Sequence, residues 1–374
     1  MEIAIVGATE QPRPTPMRVL ISAPLLSAVS GISTHVNLLL GSSLAQTYQL
    51  IHFQAGGEGR KETPLARAAR LVWSPLKLAW AITYHRPAIV HLNTAMNRKA
   101  FWRDAAYVLV AKVLRRRVVH QIHGGLLPDA FCGNRLTRSI VRWLLRLPDA
   151  VVVLAEVEVE AYRRFVPVAR VELIPNAIET NGLIGGRRAG AATNGSLHLV
   201  YLGRLAENKG ILDIVSAIKG LTEREIKTRL SIAGSGPDEV RLRQKVELLG
   251  LSDQVTFHGP LFGEEKNRLW QAADIFVFPT YHTEGLPYAL LESMAAGSVP
   301  VISPVGAIPD VMQDGVHGVF VPPKDPKALT NALARLANDR ELLSRMAATG
   351  RRRILERYTI ERLADDFQQL YASL

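Results

Sequence analysis

Short apolar runs bounded by glycine or proline alternate with longer amphipathic stretches along most of this 374-residue chain, and the alternation occurs twice. In the first series, MRVLISAPLL from Met17 is followed by candidate strands at Tyr48–Phe53, Ile89–Leu92, Val118–His123 and Ala150–Leu154. Segments such as Arg103–Leu114 and Asn134–Arg146 between them are long enough for helices. In the second series, LHLVYLG leads to a helix near Leu212–Lys219, then RLSIAG, QVTFHG, DIFVFP, VPVISP and GVFVPP. Strands that alternate with helices lie parallel, because a helical crossover returns the chain to the same sheet in the same direction. The expected fold class is therefore α/β, with two Rossmann-like, doubly wound domains facing a central cleft, the usual place for a ligand.

The two series meet at NGLIGGRRAGAATNGS, residues 181–196, which carries five glycines and no apolar periodicity and reads as a linker. The expected division is an N-terminal extension at 1–16, a first domain at 17–180, the linker, a second domain at 197–350 and terminal helices at 351–374. The terminal helices could pack back on the first domain. QPRPTP before Met17 reads as an extended arm, and either Met1 or Met17 could be the start. A lone cysteine, Cys132, excludes an intramolecular disulfide and a cysteine zinc cage. No apolar run reaches the ~18–20 residues a membrane-spanning helix needs. The first sixteen residues lack the basic region of a secretory signal, so a cytoplasmic location is expected.

The net charge of +11 is unevenly placed. Residues 1–190 hold 24 Lys+Arg against 12 Asp+Glu, a net +12, and residues 191–374 hold 21 against 22, a net −1. The excess in the first half points to nucleic acid, an anionic membrane surface or acidic small molecules.

Four loops carry chemistry-bearing residues. In EGLPYALLE, Glu284 lies at a loop and Pro287 at the expected first turn of a helix that carries Glu292. Free N–H groups at such a helix start attract phosphate, and flanking carboxylates suit hydroxyl-bearing groups at both ends of a ligand. YLGRLAENKG places Arg204 and Lys209 at a strand-to-helix turn, a fork and a point charge suited to a diphosphate. QIHGGLLPDA puts His123-Gly124-Gly125 at a strand's carboxyl end. There His123 could donate to a sugar hydroxyl or aim its backbone carbonyl at a reacting carbon. VSGIS places Ser30-Gly31 after the first strand, another potential anion turn.

These loops occur in order with IPNAIE at Ile174–Glu179, GSGP at Gly234–Pro237 and FHGP at Phe257–Pro260. Together they resemble glycosyltransferase family 4, the retaining nucleotide-sugar transferases of GT-B fold, over the whole chain from Met17. The resemblance implies that Arg204 and Lys209 bind the donor diphosphate, Glu284 the transferred sugar and Glu292 the ribose. It implies that Gly285 and Leu286 offer backbone N–H groups, Gly31 approaches the phosphates, and His258 and Gly259 lie near the base. His123 would stand beside the donor sugar. Ser30-Gly31 replaces the family's frequent Gly-Gly, and Val305-Gly306-Ala307-Ile308-Pro309-Asp310 departs from its vGG-x-P-E, which leaves the choice of sugar open.

The same resemblance implies transfer with retention, by front-face attack, from a UDP- or GDP-sugar, with no cofactor and no metal. Fixed cations would then act on the leaving diphosphate. The acceptor would be a glycan or lipid-linked hydroxyl, as in polysaccharide, lipopolysaccharide or glycolipid synthesis. A relative using a soluble acceptor, such as a disaccharide or sugar-phosphate synthase, remains a second reading. A non-enzymatic basic protein that binds membrane or nucleic acid is a third, and it leaves Glu284, Glu292, Arg204 and Lys209 unexplained. A nicotinamide-dependent dehydrogenase lacks its full G-x-G-x-x-G here.

The surplus positive charge is then assigned to the acceptor side and not to nucleic acid. Arg135, Arg138, Arg142 and Arg146 recur at helical spacing, beside Leu136, Ile140, Trp143 and Leu147. That pattern reads as a basic amphipathic helix suited to peripheral contact with an anionic membrane. Arg67, Arg70, Trp73, Lys77 and Trp80 form a looser basic and aromatic cluster upstream.

Overall fold

The computed structural model describes residues 16–57, 63–184 and 196–374. The expected extension, apart from Pro16, and residues 185–195 of the expected linker lie outside the described residues.

The first domain is built on β1 (Arg18–Ala23), β2 (Gln49–Gln54), β3 (Ile89–Met96), β4 (Arg117–Gly125), β5 (Ala150–Val153) and β6 (Val171–Leu173), in the order β2-β1-β3-β4-β5-β6. The second is built on β7 (Leu197–Leu202), β8 (Thr228–Ala233), β9 (Val255–Gly259), β10 (Ile275–Phe278), β11 (Val299–Ile302) and β12 (Val319–Phe320), in the order β12-β11-β10-β7-β8-β9. Every pairing within the two sheets is parallel. Strands β5, β10 and β11 are buried throughout, as expected where helices cover both faces of a parallel sheet.

Strand order reverses between β1 and β3 in one sheet and between β7 and β10 in the other. The loops at those switch points are the ones the motifs occupy: Ser30-Gly31 follows β1, Gly203–Lys209 follows β7, and Pro279–Glu284 follows β10. Ligands of open α/β sheets collect there because the diverging crossovers leave a crevice.

Helices Pro64–His85, Arg98–Val113, Arg135–Leu144 and Glu156–Phe165 cover one face of the first sheet. Gly31–Gly41 and the last helix, Ile360–Ala372, cover the other, where Val36 and Leu39 share a core with Phe367, Leu370 and Tyr371. The chain crosses back to the first domain beside Ile178, whose N–H donates to the Tyr358 carbonyl and whose carbonyl accepts from Ile360.

Several boundaries move. The division expected at 350 falls inside the continuous helix Arg340–Arg357, which stays with the second domain because Leu343, Met346 and Ile354 lie in its core. The linker expected from 181 begins later: Leu183 is buried against the second domain and the Gly182 carbonyl accepts from Gln271. The helix expected over 134–146 ends at Leu144, and the one expected over 103–114 starts at Arg98, capped by Asn97. The sequence reading omitted β6, a three-residue strand too short for an apolar-run signal, and did not assign Pro64–His85 as a helix.

Candidate functional site

Strand β7 ends at Leu202, Gly203-Arg204 follow it, and a single 3₁₀ turn, Glu207–Lys209, then directs Lys209 toward the neighbouring strand end. Lys209 Nζ lies 2.5 Å from Glu284 Oε1, and Thr280 Oγ1 donates to the same oxygen at 3.0 Å. Both partners are mostly buried, so the pair holds its geometry with little help from water. The two loops are joined along the backbone as well: the Asn208 carbonyl accepts from the N–H groups of Tyr281 and His282 and from the Thr280 hydroxyl. Arg204 is exposed on the same lip. Burial, then the charge on Lys209, holds the His282 imidazole below its usual range, with Arg204 adding to the effect. The site is thus a positively charged lip around one fixed carboxylate.

Gly285 and Leu286 follow, and helix Tyr288–Ala296 begins after them. Pro287 occupies the cap with extended backbone and not the first turn, so the expected placement is shifted by one position. Gly285 and Leu286 therefore immediately precede a helix N-terminus, whose orphan N–H groups and dipole favour an anion. Four residues into that helix, Glu292 is buried, with Oε1 2.6 Å from Lys266 Nζ and Oε2 accepting from Trp270 Nε1 at 3.0 Å. Burial and the Glu292 charge push the buried Tyr288 hydroxyl well above its usual pKa.

The first domain closes over this lip. A β-carbon on Gly124 would sit 2.7 Å from Gly285 Cα, and one on Gly285 would sit 3.1 Å from the His123 carbonyl oxygen. Gly124 has φ +81°, so this approach needs glycine twice over, for backbone conformation and for space. Asn176, from the IPNAIE loop, donates to the Leu286 carbonyl at 2.8 Å. Gly31 at the start of its helix faces the Tyr288 ring, and Gly306 backs onto the Glu284 carbonyl. Asp310 accepts from the Glu156 N–H, a second tie between the domains.

The His123 side chain is engaged inside the first domain. Asn93 Nδ2 donates to the Ser22 carbonyl, which turns Asn93 Oδ1 toward His123 Nε2 at 2.7 Å. That network assigns the proton to Nε2 and leaves Nδ1 as a bare acceptor. Burial, then the charge of His91, lowers the His123 pKa to about 3, so the ring is neutral at neutral pH. Of the two roles considered from sequence, donation from the side chain is therefore taken by Asn93. The backbone carbonyl is the group that faces the Gly285 loop.

His258 and Gly259 end the edge strand β9. Gly234 donates to the Gly259 carbonyl, and His258 is exposed, three strands away from β10. The basic helix departs from expectation. Arg138 pairs with Asp129 at 2.6 Å, and Arg142 donates to the Phe165 carbonyl while lying over its ring. Among the described residues, only Arg135 and Arg146 of the four are exposed and make no such contact. Leu136, Ile140 and Trp143 face outward, and Val141 and Leu144 pack inward.

Sequence reasoning missed Asn93, Thr280, Lys266 and Trp270. Asn93, Lys266 and Trp270 are distant in sequence from the residues they contact and are brought to them by the fold, whereas Thr280 lies four residues before Glu284, outside the quoted motif. Asn176 was within reach, since it lies in the quoted IPNAIE segment.

Residues 187–353 match the family model described as glycosyl transferases group 1, and residues 42–181 match that of glycosyltransferase family 4. The phosphatidyl-myo-inositol mannosyltransferase of Mycobacterium leprae is 29% identical over 202 residues, 54% of this chain and 53% of its own length. The chain spans about half the length, or less, of the curated relatives it matches. Among solved structures, sucrose-phosphate synthase from Thermosynechococcus elongatus superposes with a TM-score of 0.77 at 21% identity, covering 96% of this chain and 98% of that one. Anabaena HepE, solved with UDP-glucose, superposes with a TM-score of 0.75 at 16% identity, covering 96% and 100%.

Proposed function

Because the chain belongs to glycosyltransferase family 4 and has the GT-B fold, we propose that it moves a sugar from a nucleotide-diphosphate donor to a hydroxyl of a glycan or lipid-linked acceptor, with retention, on the cytoplasmic side of a membrane. The observation that carries this reading is the Lys209–Glu284 pair, held at a helix N-terminus and roofed by Gly124. A cation and orphan N–H groups on one side of a carboxylate suit a diphosphate joined to a polyhydroxylated ring.

In this reading Arg204, Lys209 and the N–H groups of Gly285 and Leu286 take the charge that develops on the leaving diphosphate. That is electrostatic stabilisation by groups already in place, and it makes the transfer independent of a metal. Glu284 orients the sugar hydroxyls, Glu292 the ribose, and Gly31 approaches the phosphates. His258 and Gly259 border the base of a UDP- or GDP-sugar, and HepE's complex with UDP-glucose supports a nucleotide of that kind. The sugar's anomeric carbon breaks its bond to the phosphate oxygen and forms one to the acceptor oxygen on the same face. The acceptor's proton passes to the departing phosphate, and the His123 carbonyl faces the carbon as its positive charge grows. A membrane-lipid acceptor is supported by the name of the mycobacterial relative.

A thermal-shift panel of UDP-, GDP- and ADP-sugars tests the donor, since a ligand bound to the folded state raises its midpoint by mass action. At 100 Kd the stabilisation is about 2.7 kcal/mol. No shift with any nucleotide diphosphate, in protein that is otherwise folded, would sink the reading.

A further inference from the structure

Helix Glu156–Phe165 of the first domain begins without a cap of its own. Its N-cap is Ala155, whose side chain has no acceptor for the free N–H groups of the first turn. Glu158 folds back to the strand end, where its Oε2 accepts from the Leu154 N–H at 2.8 Å. The Glu156 N–H is taken from across the domain boundary: Asp310 Oδ2 accepts it at 2.5 Å. A carboxylate placed there also meets the positive end of the helix dipole. The second domain thus supplies the cap of a first-domain helix.

The segment that carries Asp310 is fixed on every side. Four residues earlier, Gly306 backs onto the Glu284 carbonyl with φ +57° and no room for a β-carbon. Ile308 and Val311, on the same short helix as Asp310, are in the second domain's core. The Asp310 carbonyl accepts from Arg353 at 2.7 Å and from the Tyr358 hydroxyl at 3.4 Å. Tyr358 stands where the chain crosses back, and its own carbonyl accepts from the Ile178 N–H. One short segment therefore joins the Glu284 loop, the crossing between domains and the start of the opposing helix.

On the first-domain side, Leu154 and Ala155 are buried in the second domain's core. Apolar burial holds two surfaces together without fixing their relative angle, whereas a hydrogen bond is directional. The capped helix follows β5, and β5 pairs with β4, the strand that ends in His123-Gly124-Gly125. We propose that Asp310 is a positioning residue: its cap on the opposing helix sets the closed arrangement of the two domains, in which the His123 carbonyl faces the Gly285 loop. Its effect on turnover rests on the transferase reading above, and its effect on domain arrangement does not.

The parent, Asp310→Ala, Asp310→Asn and the double variant Asp310→Ala/Ala155→Ser test the proposal. Small-angle scattering without nucleotide should give a larger radius of gyration for Asp310→Ala than for the parent. Turnover is then measured with whichever UDP-, GDP- or ADP-sugar stabilises the parent in the thermal-shift panel. Asp310→Ala should lose about tenfold or more in kcat through misplacement, with KM for donor little changed. Asn accepts at an N-cap as well as Asp does, so Asp310→Asn should stay compact and within about threefold of the parent. Ala155→Ser gives the helix a cap within its own domain. The double variant should therefore regain the thermal midpoint that Asp310→Ala loses, but neither the parental radius nor the parental kcat. Recovery of kcat in the double variant would reduce Asp310 to a helix stabiliser and overturn the proposal, as would a parental kcat in Asp310→Ala. Equal radii for the parent and Asp310→Ala overturn it whatever the panel shows. An expanded Asp310→Ala beside a parent that no nucleotide-sugar stabilises overturns the transferase reading and leaves the interdomain cap supported.

Discussion

Gly124 of the first domain and Gly285 of the second meet backbone to backbone, so closely that a single β-carbon on Gly124 would lie 2.7 Å from Gly285 Cα. The contact sets how far the cleft can close, because neither side has a flexible side chain that can move aside. It also places the His123 carbonyl against the loop that begins the Glu284 site.

Gly124→Ala is therefore expected to hold the domains apart and lower kcat by about 10²-fold, the scale of a misplacement near 1 Å. The positive φ adds about 1–3 kcal/mol of local strain. Small-angle scattering with donor present should show a larger radius of gyration than the parent. A parental kcat in the variant would show that closure does not run through this contact.

Lys209→Ala removes a cation and leaves Glu284 mostly buried with Thr280 as its remaining partner. The expected loss is about 10²–10³ in transfer, as for removal of one preorganised charge-stabilising donor. Denaturation should report a cost of about 1–3 kcal/mol for the unpaired carboxylate. Glu284→Gln should lose transfer with a smaller stability cost, because Gln is neutral. Full activity in either purified variant would remove both residues from the site.

Trp270→Phe leaves one Glu292 oxygen without its donor in a buried setting. If Glu292 holds the donor's ribose, distant from the reacting carbon, the variant should raise KM for donor several-fold while kcat changes little. That pattern marks binding shared by ground and transition states. A fall in kcat at constant KM would place Glu292 elsewhere in the chemistry.

The buried histidines of the first domain make its stability sensitive to acid. Burial lowers His91 to about 3 and His120 to about 4, with His35 also well below its usual range. His123 joins them at about 3. An unfolded histidine titrates near 6.5, so below that pH the unfolded state binds more protons than the folded state. Their contribution is complete above 6.5 and is lost as pH falls toward 4, at up to about 1.4 kcal/mol per unit for each ring. Glu158 opposes one of them: burial raises its carboxyl to about 7, so its contribution is lost as pH rises through 7. Urea midpoints between pH 7 and 5 should fall, and His120→Asn should flatten the slope. An unchanged slope would show that His120 is not buried neutral.

Much of the candidate site could be read from local sequence because its loops are short and carry special residues. Arg204, Lys209, Glu284 and the His123-Gly124-Gly125 turn sit within a few residues of apolar strands, and glycine marks each turn. What surrounds them was not readable. Asn93 orients His123 from the adjacent strand, Thr280 joins Glu284 from the same loop, and Trp270 and Lys266 hold Glu292 from another helix. No periodicity links such pairs. The spacing of the basic helix at 135–144 marked an amphipathic surface but not its direction. Its tertiary packing turned Val141 and Leu144 inward, turned Leu136, Ile140 and Trp143 outward, and engaged Arg138 and Arg142 within the protein.

By itself the sequence determined two parallel α/β sheets and the strand ends where chemistry would collect, since periodicity and glycine turns are local properties of the chain. Its uneven charge also placed the positive excess in the first half. Only the tertiary structure decided that Gly124 meets Gly285 and that Glu284 is already paired with Lys209. These relationships depend on strand order and helix rotation. Both are set by the packing of the whole core, and a run of neighbouring residues does not encode them.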